Sequence, residues 1–190
     1  VMRATRDAGF ECGIHCWDHV TWQDGVMQAD GAWTRTHMTQ AIERFQSVFQ
    51  FSPQVHGAAG WQMNVHALRF MQQLGFAYCS DGRGTHPHRP MVKAEPIDTP
   101  QFPTTLPTLD ELIGTPRVTQ RNVAETLLAE TQSDPRDHVY TLHAELEGLK
   151  LLDVMEQLII GWKEQGYRLI DLASVARFTE HAALPRCAVE

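Results

Sequence analysis

Short strand-like runs alternate with helical stripes along this chain, and that alternation restricts the fold more than any single motif. Residues 11–14 read as a strand. Residues 34–49 carry Met38, Ala41, Ile42, Phe45, Val48 and Phe49 at helical spacing, the pattern of an amphipathic helix. Residues 53–58 read as a strand, Val65–Leu74 as a helix closed by Gly75, and 76–80 as a strand. A proline-rich stretch follows (Pro87, Pro90, Pro96, Pro100, Pro103, Pro107), with a short strand at 97–99. Thr108-Leu109-Asp110-Glu111 has the spacing of a capping box and predicts a short helix. Beyond it the pattern predicts a helix over 118–131, a buried-type strand over 139–142 and a helix over 150–165. A last strand at 167–170 and a short helix at Leu172–Phe178 close the series. Parallel strands with crossover helices follow, in one α/β domain over residues 1–190. Residues 1–8 read as the end of a helix closed by Gly9, so the chain is expected to start after an earlier segment.

The residues with chemistry to offer cluster just after the strand-like runs: His15, the Ala58-Ala59-Gly60-Trp61 turn, Ser80-Asp81 and His143. In a β/α barrel the C-terminal strand ends gather on one face and build the site. His15 and His19 lie four positions apart in Gly13-Ile14-His15-Cys16-Trp17-Asp18-His19, so on a helical turn both imidazoles share a face. Two neutral imidazoles suit a divalent metal, which still needs a third ligand and an open position. Capping or solvated histidines are the competing reading. The zinc-peptidase pattern HExxH is excluded, because Cys16 stands where its glutamate would be. Cys16 should point off the shared face, so its role as a ligand is disfavoured.

Val139-Tyr140-Thr141-Leu142 delivers His143 at a strand end, placed for a general acid or for a loop hydrogen bond. Glu145 after it could orient His143 or a substrate amine, or form a salt bridge. In Ser80-Asp81-Gly82-Arg83-Gly84, glycines let the chain turn sharply and present Asp81 and Arg83 to a ligand or to each other. Trp61 offers a flat face for a sugar or for packing.

Composition narrows the partners. A net charge of −7 argues against a phosphate-backbone binder, so no nucleic acid is expected. There is neither an apolar run of about 18 residues nor a secretory leader pattern. Four cysteines without a CxxC pair read as reduced thiols in a cytoplasmic protein.

Taken together and in order, five segments resemble the polysaccharide deacetylase (NodB-homology) family. They are residues 13–19, 58–61, 80–84, Thr105 to Gly114, and His143-Ala144-Glu145-Leu146-Glu147-Gly148. The nearest branch comprises deformylases of undecaprenyl-phosphate-linked 4-deoxy-4-formamido-L-arabinose. The resemblance implies a (β/α) barrel, incomplete or distorted, with N-terminal strand(s) outside this chain. It implies His15 and His19 as metal ligands and His143 as the catalytic acid. Beside these, the residues themselves put Asp81 and Arg83 forward as catalytic and Trp61 and Glu145 as substrate contacts. The family's Asp-rich motif would lie upstream of Val1. Its third-motif arginine is replaced by Ala58-Ala59-Gly60-Trp61, and Arg83 could substitute as the charge that orients the base.

The implied reaction is metal-assisted amide hydrolysis giving formate and a free amino sugar, a step of lipid A modification linked to cationic-peptide resistance. Zn, Mn, Co or Ni would each suit the ligands. The substrate would be lipid-linked, reached by peripheral contact at the inner face of the cytoplasmic membrane. Two alternatives are an N-deacetylase of the same family on another sugar and a barrel that binds metal or sugar without turnover.

Overall fold

A computed structural model describes residues 1–189. The chain divides into two compact units, Val1–Pro103 together with residues from Ala176 onward, and Thr104–Val175.

The first unit is organised by short parallel segments. Ile14 bridges His56, β1 (Val55–His56) pairs with β2 (Tyr78–Cys79), and Cys79 bridges Gln101, all parallel. Backbone bonds run in sequence across this row, from Gly57 N–H to the Ile14 carbonyl at 3.1 Å, from Ser80 to His56 at 2.8 Å, and from Phe102 to Cys79 at 2.8 Å. Gly13 is required at its edge, since a Cβ there would lie 2.6 Å from the Val55 side chain.

The helices of this unit are α1 (Met2–Asp7), α2 (His19–Gly25), α3 (Gly31–Phe49) and α4 (Val65–Leu74). Each of the last three begins at a side-chain cap: Asp18 on Thr21 N–H, Asp30 on Trp33 N–H and Asn64 on Ala67 N–H. The α3 stripe buries Met38, Ala41, Phe45 and Phe49 with Trp22, Met71 and Phe76 in one core. The α4 boundaries match the sequence pattern, and Gly75 closes that helix at φ +71°.

The proline-rich stretch holds more structure than the pattern indicated. β3 (Arg89–Val92) and β4 (Glu95–Pro96) form a hairpin, and β5 (Arg186–Ala188) pairs parallel with β3. The expected strand at 97–99 is thus displaced toward β4. Ile97 N–H still reaches the Pro90 carbonyl at 2.9 Å.

The second unit packs α6 (Val123–Ser133) against α7 (Leu152–Glu164), with α5 (Leu109–Leu112) nearby, around Leu106, Leu127, Leu158 and Trp162. Helix α6 starts five residues later than the pattern suggests. Asn122 accepts from Thr119 N–H at 2.7 Å and donates to the Arg117 carbonyl at 2.8 Å, which holds 117–122 as a turn. Residues 139–142 build no ladder. Val139 N–H donates to the Thr105 hydroxyl at 2.9 Å and its carbonyl takes Thr105 N–H at 3.0 Å. The facing segment is flanked by Pro103 and Pro107, which have no N–H to extend the pairing. Residues 167–170 also carry no ladder. α8 (Leu172–Phe178) forms as read. Among the described residues the sheets have two and three strands.

Candidate active site

His15 follows Ile14 at the end of the first parallel segment and is exposed. Its Nδ1 lies 2.7 Å from the Gly57 carbonyl, the residue after β1. A carbonyl only accepts, so Nδ1 carries the proton and Nε2 is the basic nitrogen. Cys16 then takes φ +61°, a left-handed kink that turns the chain from strand into helix within a few residues. His19 opens α2 on the Asp18 cap, and its ring centroid lies 5.2 Å from that of His15. Burial, with help from Asp18, pushes the Cys16 thiol up to about 11. Among the described residues no group of three or more His, Cys, Asp or Glu side chains is placed to hold a metal ion.

Asp81 follows β2 and is buried. Its Oδ1 is 2.5 Å from His56 Nδ1 and its Oδ2 accepts from Gln101 Nε2 at 2.8 Å. Gln101 Oε1 in turn accepts the Asp81 N–H at 3.1 Å. His56 and Gln101 escaped the sequence reading. A histidine beside Val55 in a buried strand was the available signal, since such a ring needs a polar partner. His56 is bonded to Asp81, and the next carbonyl, Gly57, holds His15. One strand end therefore fixes both groups. The His56 Nε2 is buried without a hydrogen-bond partner.

Arg83 places its guanidinium 3.9 Å from the centre of the Trp61 ring. Trp61 and Gly60 both have positive φ, and a Cβ on Gly60 would meet Gln23 at 2.7 Å. Trp61, Asp81 and Arg83 share a cavity of about 660 Å³.

In the second unit, His143 Nδ1 lies 3.2 Å from Asp110 Oδ1, with side chains 36% and 54% exposed. The loop is braced by Glu147, not by Glu145. Glu147 is buried, accepts the His143 N–H at 2.9 Å and takes the Tyr140 hydroxyl at 2.6 Å. Burial and this carboxylate push the Tyr140 phenol well above its ordinary range. Glu145 is exposed at the start of a π-helical turn, Leu146–Lys150. Asp110 is the further residue that the sequence reading missed. It sits in the first turn of α5, inside the segment already noted for its capping spacing.

No protein-family model matches the chain. A Shewanella sediminis protein assigned as a 4-deoxy-4-formamido-L-arabinose-phosphoundecaprenol deformylase is 30% identical over 172 residues, 90% of this chain and 55% of that protein. A Wigglesworthia glossinidia brevipalpis protein with the same assignment is 29% identical over 160 residues, 84% of this chain and 55% of its own length. The chain thus spans about half the length of the curated relatives it matches. A crystal structure of a Mycobacterium smegmatis protein assigned as a polysaccharide deacetylase superposes with TM-score 0.76 at 21% identity, covering 100% of this chain and 70% of that one.

The chain has the polysaccharide deacetylase fold.

A second protein of this assignment, from Pseudomonas aeruginosa, aligns with TM-score 0.67 at 21% identity, covering 93% of this chain and 61% of its own. The resemblance read from the five segments therefore holds in sequence and in fold. The similarity extends over both units of this deacetylase-fold chain. Among its described residues, no helix is long and apolar enough to cross a membrane.

Proposed function

We propose that this chain is the catalytic part of a carbohydrate deformylase that hydrolyses the formamide of a lipid-linked 4-formamido-arabinose. The observation that supports the reading is the pairing of His15, whose Nδ1 is bonded to the Gly57 carbonyl, with the His19 ring 5.2 Å away. His15 and His19 are the residues that would hold a divalent ion, Zn, Mn, Co or Ni. When bound, such an ion supplies Lewis acidity to the formamide carbonyl and lowers the pKa of a water molecule.

The chain's own residues do the rest. His143 is the proton donor to the departing amine, which is a poor leaving group unprotonated. Asp110 on Nδ1 orients its ring. The oxygen of a water molecule bonds to the formyl carbon, the C–N bond breaks as the nitrogen takes a proton from His143, the carbon leaves as formate, and the nitrogen stays on the sugar as an amine. Asp81 is the fixed carboxylate of the first unit, oriented by His56 and Gln101, and Arg83 beside Trp61 is the charge that orients the base. Trp61 offers its face to the sugar, and Glu145, exposed, can meet the amine. On this reading residues 1–190 act as one catalytic domain of an incomplete (β/α) barrel, since both curated similarities run through both units. The substrate's lipid brings the protein to the inner face of the cytoplasmic membrane by peripheral contact.

Formate release from the formamido-arabinose lipid, or from a short-chain analogue, tests the reading. A second reading, an N-deacetylase on another sugar, is favoured by the assignments of the two structural neighbours. Acetate in place of formate as product would select it.

A further inference from the structure

The cavity beside Trp61 carries a charge opposite to that of the chain. The protein has 23 acidic and 16 basic residues. The cavity is lined by Arg83, Lys93 and the histidines His66, His86 and His88, with Asp81 as the single carboxylate among the described residues that line it. That carboxylate is already engaged by His56 and Gln101. An acidic protein has thus gathered cations around one concavity of about 660 Å³, inside the ~300–1,000 Å³ span of ligand sites. Burial holds the His88 imidazole below its ordinary range, and Arg83 and Lys93 are the two lining residues that carry a permanent positive charge.

The Arg83 guanidinium has a fixed neighbour and Lys93 a fixed backbone. The Arg83 guanidinium lies 3.9 Å from the Trp61 ring centre, so little of its side-chain freedom remains to be lost on binding. Its planar fork matches two oxygens of a phosphate. Lys93 sits at the tip of the β3–β4 hairpin with Ala94, and their φ values are +49° and +68°. A two-residue hairpin with positive φ at both positions normally uses Asn-Gly or Gly-Gly. Lysine and alanine accept strain there, and residues kept in strained backbone tend to serve a site. Met27, Met63, Val65 and Val92 supply an apolar wall beside the charges.

We infer that this cavity binds the phosphate of a phosphorylated sugar head group, with Arg83 and Lys93 as its anion contacts. That the head group is the deformylase's substrate rests on the function proposed above; the preference for an anion does not.

The test is calorimetric titration of the chain with arabinose 1-phosphate, methyl arabinoside and inorganic phosphate. The sugar phosphate should bind best, and the neutral glycoside at least roughly tenfold more weakly, the size of one charge-assisted contact. Arg83→Gln and Lys93→Asn should each weaken sugar phosphate binding by about the same factor. Lys93→Asn also relieves the turn, so its melting temperature should hold or rise, which excludes misfolding as the cause. Equal binding of the neutral glycoside, or unchanged affinity in both variants, overturns the inference. Inorganic phosphate binding as tightly as the sugar phosphate overturns the head-group assignment, leaving a free-phosphate site. No turnover enters the assay. Phosphate binding without formate release removes the deformylase reading and leaves the cavity's role, and the reverse pattern removes the cavity's role alone.

Discussion

Each unit of the molecule holds a histidine–carboxylate pair, and the two pairs are built for different work. His56 and Asp81 in the first unit are 0% and 4% exposed and 2.5 Å apart, with Gln101 on the second carboxylate oxygen. His143 and Asp110 in the second unit are 36% and 54% exposed and 3.2 Å apart. A buried pair whose carboxylate is bonded on both oxygens fixes backbone and neighbours. A half-exposed pair is weaker as a brace and open to chemistry. The same residue types thus serve as scaffold in one place and as reagent in the other, and burial makes the difference.

That contrast can be broken by experiment. The largest effect expected is on turnover. His143→Ala should cut formate release by about 10²–10⁴-fold, the worth of a positioned general acid, while its melting curve stays near that of the parent. Unchanged turnover would make His143 a structural residue like His56. On the buried side, Asp81→Ala leaves the His56 imidazole without its partner. The stability loss in urea should be about 3–5 kcal/mol, as for breaking a buried pair. A loss near zero would mean that His56 is not held by that carboxylate.

Leu127→Ala is a control for the second unit, since Leu127 is fully buried between α6 and α7. Its truncation should cost about 2–5 kcal/mol without the product changing. Asp110→Asn should be the mildest in stability, under about 1 kcal/mol as for exposed pairs. It should still lower turnover and move the pH–rate profile. A stability loss as large as that of Asp81→Ala would erase the distinction between the pairs. Metal affinity sharpens the first unit further. With two imidazoles and no third donor joined to them among the described residues, residues 1–190 should bind zinc weakly, and His19→Ala should abolish that binding. Tight binding that survives His19→Ala would move the cation elsewhere.

Local chemistry carried the sequence reading a long way. The Val65–Leu74 helix follows from its stripe and Gly75, and Asn64 caps it. His15 and His19 stood out by spacing, and Asp81 by its place after an apolar run. The segments at 139–142 and 167–170 look like strands by composition but lack a ladder, because a strand depends on what pairs with it. The partner of 139–142 is a stretch between prolines where a threonine hydroxyl takes over part of the pairing.

The sequence by itself determined the elements set by neighbours along the chain: helix stripes, their caps, and the residues that follow each short strand. Tertiary structure decided the partnerships. Asp81 meets His56 across 25 positions, His143 meets Asp110 across 33, and His15 is oriented by a carbonyl 42 residues away. Periodicity reports which face a residue occupies, but hydrogen-bond partners so far apart along the chain are chosen only when the segments pack.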